Sequence, residues 1–146
     1  MFTVSVVVGV DAELDESSVH DVNETENRIV SQWAVSAEKR HELRDRVDDI
    51  LRPLGFETSL LMIRRANSLA LYFICMTLAA LMSLRDQWRS RQLRDTVEEI
   101  FTFLSRATDT VHVPDTVRVK RLLWPLSDYY RCLDFFKSVE GKLTVQ

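Results

Sequence analysis

Few side chains in this sequence have the types and spacing that catalysis or metal binding requires. His20, His41 and His112 lie far apart, and none has a second His or Cys at the short spacing that zinc sites use. Cys75 lies in a predicted strand and Cys132 in the apolar stripe of a predicted helix, with no neighbour that marks a nucleophile. These residues therefore predict surface histidines and buried structural thiols, and no metal site.

The adjacent acidic pairs give no acid–base centre either. Asp48 with Asp49, and Glu98 with Glu99, fall in predicted helices, where neighbouring side chains point in different directions. The chain has only three glycines, and it contains neither a glycine-rich phosphate loop nor a nucleophile elbow. We therefore expect a protein that is not an enzyme, with no catalytic residue and no bound cofactor.

Length and charge are those of one globular domain spanning residues 1–146. The 146 residues are enough to bury a core, and a net charge of -3 supplies no overall attraction to nucleic acid or to an anionic membrane. Two isolated cysteines suit a reducing compartment, and the N-terminal residues lack the basic segment and apolar core of a signal peptide. These features predict a cytoplasmic protein.

The periodicity of apolar residues divides the chain into strands and helices. Alternating apolar and polar residues predict strands, and apolar residues three or four positions apart predict helices. The strands are predicted at 2–10, 56–64, 68–76 and 116–123. The helices are predicted from Thr25 or Ser36 to about Arg52, from Thr77 to about Leu104 with a break near Ser90, and at 128–139. Polar loops are expected around 11–27, which is acidic, and at 105–115.

This order of elements, βαββαβ with an added α, is that of the ferredoxin-like split βαβ fold. It predicts an α+β protein with an antiparallel sheet, helices packed on one face of the sheet, and an extra C-terminal helix. The first and third strands carry no internal charge and should be central, whereas the second and fourth carry charged residues that suit sheet edges.

The sheet face away from the helices is unusually apolar in this arrangement. Alternation in the first and third strands points Val7, Ala70, Tyr72 and Ile74 outward. A surface with Tyr and Ile suits a protein interface, so these four residues are the predicted partner-binding site. The alternative is that the terminal helix folds across this face and covers it. The apolar stripe of that helix comprises Tyr129, Cys132, Leu133 and Phe136.

Two runs of sequence carry a resemblance to a known family. The run LRDQWRSRQL at 84–93 resembles the TRADD N-terminal domain family, and DYYRCLDFF at 128–136 is similar to the closing unit of that family. Arg91 stands where many relatives place Gly. The resemblance implies a non-catalytic cytosolic adaptor in apoptosis or innate-immune signalling. In the vertebrate adaptor the sheet face engages TRAF-family proteins, so TRAF-type proteins or death-domain adaptors are the implied partners, and Ala70 occupies the matching third-strand position.

Two other functions stay open at this point. RNA-recognition domains share the βαββαβ order, although the third strand here lacks their aromatic–glycine signature. The basic residues available to such a domain are Arg64, Arg65, Arg118, Lys120 and Arg121. The uncharged stretch 66–84 is about long enough to span a bilayer, which would make a small membrane-associated protein. Polar residues throughout that stretch favour a strand followed by a helix, so we expect neither a nucleic-acid nor a membrane partner.

Overall fold

An antiparallel sheet of four strands and five α-helices make up the described part of the chain. The computed structural model describes residues 4–38, 41–106 and 116–144. The strands are β1 (Val6–Leu14), β2 (Thr58–Arg65), β3 (Leu69–Cys75) and β4 (Val119–Leu123). The helices are α1 (Val22–Glu38), α2 (His41–Leu51), α3 (Leu78–Arg89), α4 (Gln92–Arg106) and α5 (Leu126–Thr144). The predicted α+β class with an open antiparallel sheet is confirmed.

The strands lie in the order β2-β3-β1-β4, and every neighbouring pair is antiparallel. β1 and β3 are therefore central, and β2 and β4 form the edges. β3 is paired with β1 over its full length, from Val6 opposite Cys75 to Ala12 opposite Leu69. Their helix-facing side chains are buried and form the middle of the core.

β1 extends four residues further than predicted, which corrects the acidic loop expected at 11–27. Ala12 and Leu14 continue the buried alternation begun by Val6, while Asp11 before them is exposed and Glu13 between them is partly exposed. Charged residues on the solvent face of a strand do not end it, because only the other face must be apolar. β1 begins at Val6, so Val4 and Ser5, which were predicted as strand, precede it, and the predicted start at Phe2 lies outside the described residues.

The loop predicted at 11–27 is also shorter at its C-terminal end, because α1 begins at Val22 rather than at Thr25 or Ser36. The Asp21 carboxylate accepts a hydrogen bond from the Glu24 backbone N–H at 3.3 Å, which is the contact expected of a helix N-cap. The helix that ends near Arg52 is described as two helices, α1 and α2. A short 3₁₀ turn, Arg52–Leu54, follows α2 and leads to Gly55, which has a positive φ of 104°.

Thr77 caps α3 as predicted, and the long helix breaks where expected. The Thr77 hydroxyl accepts a hydrogen bond from the Ala80 N–H at 3.1 Å. α3 ends at Arg89, Ser90 is its C-cap, and α4 begins at Gln92. Between them Arg91 has φ 70°, the only positive φ at a non-glycine residue in the described chain. This left-handed residue changes the direction of the chain between the two helices.

The end of the described chain differs from prediction in its boundaries. α4 continues through Ser105 and Arg106, which were assigned to a loop, and the rest of that predicted loop, 107–115, lies outside the described residues. β4 starts at Val119 rather than at Thr116. α5 is longer than the predicted 128–139, beginning at Leu126 and ending at Thr144.

Side chains of α3 and α4 bond to the outer backbone edge of β4 and its flanking residues. Three backbone carbonyl oxygens accept hydrogen bonds from helix side chains. Arg85 donates to the Trp124 carbonyl at 3.0 Å, and the Trp88 indole donates to the Leu122 carbonyl at 2.9 Å. Arg94 donates to the Lys120 carbonyl at 3.4 Å. Two backbone N–H groups donate to side chains of α4: that of Val119 to Glu98 at 2.7 Å, and that of Val117 to Thr102 at 2.9 Å. These five contacts satisfy groups that would otherwise lie unpaired at a sheet edge.

Candidate interaction surface on the open face of the sheet

Three of the four residues predicted to bind a partner lie on the outer face of the two central strands and are accessible. Val7 pairs directly with Ile74 across the β1–β3 ladder, and the next outward pair along is Gly9 with Tyr72. The Val7 side chain is 46% exposed, and Tyr72 and Ile74 are partly exposed. The alternation of apolar residues therefore placed these three side chains correctly.

Ala70 faces the same side but offers little surface, because it is only 5% exposed. Its neighbours across the sheet are Asp11 on β1 and Arg64 on β2, both larger and both exposed. A methyl group between two long side chains lies at the floor of the surface. Ala70 therefore faces outward as predicted but contributes little accessible contact area.

Two residues that the sequence reasoning missed extend this apolar surface to the edge strands. Met62 on β2 pairs with Tyr72 and is 40% exposed, and Leu123 on β4 pairs with the outward Asp11 and is 49% exposed. We define the open face as Val7, Met62, Tyr72, Ile74 and Leu123. The signal for both missed residues was ambiguous, because each stands in a run of consecutive apolar residues that does not show which one faces out.

Gly9 allows the Tyr72 ring to lie across β1. A Cβ atom added at Gly9 would stand 3.2 Å from the Tyr72 Cε1 atom. Such a contact is tighter than normal van der Waals packing, so a larger residue at this position would displace the ring. The glycine thus fixes the height and orientation of the one aromatic residue on the open face.

α5 packs beside β1 and against α3 and does not close the open face over Val7. The Cys132 thiol donates to the Val7 carbonyl oxygen at 3.9 Å, which ties α5 to this strand. A groove of about 390 Å³ separates the start of α5 from the sheet, with Tyr72 on one side and Asp128 and Arg131 on the other. The predicted contact residues of α5 fall into two groups: Cys132 and Phe136 are buried, and Tyr129 and Leu133 are partly buried.

A buried arginine holds the start of α5 against α3. The Arg85 guanidinium lies 4.5 Å from the Trp88 ring centroid and 5.0 Å from those of Trp124 and Tyr129. Burial lowers the pKa of this guanidinium, and the nearby Arg89 charge lowers it further. Aromatic rings attract a cation through their quadrupole, so the three rings take the role that a carboxylate would have in an ion pair.

The two thiols considered for chemistry are both buried. Burial raises the pKa of the Cys75 thiol to about 12 and also raises that of Cys132, so both thiols stay protonated at neutral pH. His20 and His41 are exposed, and His112 lies outside the described residues. Within the described ranges, no group of three or more His, Cys, Asp or Glu side chains could hold a metal ion.

The two acidic pairs also separate in the structure. Glu98 is buried and accepts the Val119 N–H, whereas Glu99 is exposed. Asp48 and Asp49 both lie on the exposed surface of α2. Neither pair shares a site, as expected for neighbouring positions on a helix.

Comparisons with protein-family models, with curated proteins and with solved structures found no match to this chain.

The stretch 66–84 is divided between the β2–β3 turn, β3 and the first part of α3. Among the described residues, no helix has both the length and the apolar character needed to cross a membrane.

Proposed function

We propose that this chain is a non-enzymatic protein-interaction module that binds its partner through the open face. One observation carries the proposal: a band of accessible apolar side chains, interrupted at Asp11, draws on all four strands on the sheet face opposite the buried core. An antiparallel sheet with one face in water normally alternates apolar with polar residues, so its solvent face is polar. An apolar solvent face therefore calls for a partner that covers it.

Charged residues border this band in the manner of an interface rim, and one of them, Asp11, lies within it beside Leu123. Arg64 and Asp11 flank the buried Ala70, and Glu13 lies within 4.0 Å of Lys120 and 3.9 Å of Arg121. Protein interfaces commonly combine an apolar centre rich in Tyr and Met with a polar, solvated rim. Here Tyr72 and Met62 contribute to the apolar centre, and these charged residues contribute to the polar rim.

The proposed fold is a ferredoxin-like split βαβ arrangement in which each crossover contains two helices. Its support is the central position of β1 and β3, with two helices following β1 and two following β3. The proposed family is that of the TRADD N-terminal domains. Arg91 adds support, because its φ of 70° is the conformation that glycine adopts most easily, and Gly is the residue that many relatives have there.

The biological role that accompanies this family is a cytoplasmic adaptor in apoptosis or innate-immune signalling, with TRAF-type or death-domain proteins as partners. Nucleic-acid binding has less support, because four of the five basic residues that would serve it lie near carboxylates, one of them Lys120 at 4.0 Å from Glu13. Arg118 is 3.9 Å from Glu98, Arg65 is 3.6 Å from Glu26, and Arg121 is 3.9 Å from Glu13. Arg65 also donates to Asn23 and Asn27 of α1.

Replacing Tyr72 with Asp tests this proposal. A carboxylate at the centre of the band should abolish partner capture while leaving the far-UV circular dichroism unchanged, because the ring lies on the surface. The measurement is a pull-down from cytosol with mass spectrometry, followed by calorimetric titration of each purified candidate. Ile74→Asp should have the same effect.

Phe56→Asp is the matched control. Phe56 is also an apolar surface residue, 84% exposed, but it precedes β2 and lies outside the open face. This variant should bind like the wild type. Equal loss in Phe56→Asp and Tyr72→Asp would mean non-specific apolar capture, and unimpaired binding by Tyr72→Asp would rule out the open face as the site.

A further inference from the structure

A second surface of interest is a small cavity at the break between α3 and α4. Its volume is about 160 Å³, and it is lined by Trp88, Arg89, Arg91, Arg94 and Leu122. We call it the arginine pocket. None of its residues belongs to the open face, so binding at this pocket is independent of the proposed function.

In the part of the chain that the structure describes, the three arginines of this pocket have no acidic partner. Within the described chain, no carboxylate oxygen lies within 4.0 Å of the guanidinium nitrogens of Arg89, Arg91 or Arg94, whereas Arg28 and Arg52 are paired at 3.0 and 3.1 Å. Arg94 makes one long hydrogen bond, to the Lys120 carbonyl oxygen at 3.4 Å. Three positive charges therefore border one small cavity in a chain whose net charge is -3.

The backbone around the pocket adds to this positive potential. α4 begins at Gln92, so its first N–H groups have no partners within the helix and give that end a partial positive charge. Arg91 stands immediately before the helix, and its side chain has donors but no acceptor with which to cap them. Cations at this end of a helix are electrostatically unfavourable unless an anion offsets them. The first turn of α4 contains one acidic residue, Asp95, which forms no ion pair with the three arginines among the described residues.

Arg91 is also conformationally unfavourable where it stands. Its φ of 70° lies in the left-handed region, which costs a non-glycine residue on the order of 1 kcal/mol. The chain thus carries a large cation at a position where glycine would relieve both the strain and the repulsion. Residues that break a local rule in this way commonly mark functional sites.

The two remaining walls of the pocket are less polar. The Trp88 indole N–H is already engaged with the Leu122 carbonyl oxygen at 2.9 Å, so the ring presents mainly carbon, and Leu122 is a buried apolar residue. A cavity of this size is smaller than the roughly 300–1,000 Å³ that holds a drug-sized ligand. It suits a compact anionic group with a short carbon attachment.

We propose that the arginine pocket binds a phosphomonoester dianion. Guanidinium groups match phosphate oxygens in geometry and form charge-assisted hydrogen bonds to them, and the N–H groups at the start of α4 add further donors. The phosphate oxygens lie among Arg89, Arg91 and Arg94, and the ester carbon lies against Trp88. Binding neutralises charge that the protein itself leaves unpaired.

The experiment titrates ¹⁵N-labelled protein with inorganic phosphate at constant ionic strength and follows the Trp88 indole and the Gln92 and Leu93 amide signals. Saturable shifts confined to these groups are expected, together with a higher Tm, because a ligand that binds only the native state stabilises it. Arg94→Gln should weaken binding about ten-fold or more. Arg64→Gln, an exposed arginine on β2, is the matched control and should bind normally.

Arg91→Gly separates the binding role from the structural one. This variant should raise the Tm without phosphate, because it relieves the left-handed strain, and should weaken phosphate binding. A merely structural Arg91 would leave the affinity unchanged. Linear shifts without saturation, or equal weakening in Arg64→Gln, would overturn the proposal.

Two further titrations identify the charge state and the source of the phosphate. Sulfate, a dianion at every pH used, should bind equally at pH 5.5 and 7.5, whereas capped phosphoserine should bind more weakly at pH 5.5, because its second pKa is about 6. Tighter binding of capped phosphoserine than of inorganic phosphate would indicate a phosphorylated side chain as the source, and equal binding would indicate the free anion. Binding of neither phosphate compound would contradict the site.

Discussion

The two edges of the sheet differ in how they are kept from pairing with another strand. The β4 edge is closed by side chains: five groups of its outer backbone, from Val117 to Trp124, bond to α3 and α4. No such bonds to the outer backbone of β2 are found in the described residues. β2 instead has an irregular register at Leu61 and ends in two arginines, Arg64 and Arg65. Both strategies blunt an edge, one by hydrogen bonding and the other by shape and charge.

This difference shows that polar residues of a helix can belong to the sheet rather than to the solvent. Glu98 and Thr102 lie on α4 but act as acceptors for the backbone of the chain entering β4, and both are buried. The helix cannot move away from this edge without leaving N–H groups unpaired. In the described residues the outer backbone of β2 has no such bonds, and its link to α1 is the Arg65 side chain, which donates to Asn23 and Asn27. Away from Arg65, this edge should therefore tolerate substitution better.

The largest expected effect is at Arg85. Arg85→Ala removes a hydrogen bond from a buried cation to the Trp124 carbonyl oxygen and the contacts with three rings, and should lower the free energy of unfolding by about 3 kcal/mol. Arg64→Ala on the β2 edge is the comparison and should change it by about 0.5 kcal/mol or less. The measurement is urea denaturation of each variant. Similar losses in the two variants would erase the distinction between the edges.

Glu98→Ala should have the next largest effect. It leaves the Val119 N–H buried without an acceptor, which costs about 2 kcal/mol. The adjacent Glu99→Ala, on the exposed side of the same helix, should be nearly neutral. Denaturation gives the energies, and hydrogen exchange at Val119 should accelerate only in Glu98→Ala. Unchanged protection of that amide would show that β4 does not depend on this carboxylate.

The variants with the smallest expected effect on stability test whether the two sheet edges differ in self-association. Arg64→Leu and Arg121→Leu each replace an exposed arginine on the outer face, beside the β2 and β4 edges respectively, and each should change stability by about 0.5 kcal/mol or less. Light scattering at increasing protein concentration should show added self-association for Arg64→Leu alone, because the β4 backbone is already occupied. Equal self-association of the two variants would mean that added apolar surface causes it, and not the unpaired backbone of the β2 edge.

Local patterns in the sequence predicted much of the central sheet. The valines of β1 and the alternation in β3 assigned Val7, Tyr72 and Ile74 to the outer face, and Thr77 marked the start of α3. The change of helical phase near Ser90 predicted the break. Each of these signals lies within a few residues of the feature it specifies, so it can be read without knowing the tertiary fold.

The features that prediction missed depend on contacts distant in sequence. Asp11 was interpreted as the start of an acidic loop, but it is a solvent-facing residue of β1 that pairs with Leu123 of β4. α1 was started too late because its first turns include Thr25 and Glu26, polar residues that only tertiary packing buries. Likewise, nothing near Glu98 in the sequence shows that its partner is the Val119 amide.

β1 has a consequence for the order in which this fold can assemble during synthesis. It precedes every other described element, yet its hydrogen-bonding neighbours are β3 and β4, and α5 packs beside it. Val8 cannot pair until Phe73 has been synthesised, and Ala12 cannot complete its pairing until Leu122 has been synthesised. A ribosome therefore releases this valine-rich strand long before anything can pair with it. Closure of the sheet is a late event, and the unpaired strand is the segment that a nascent chain most needs to have shielded.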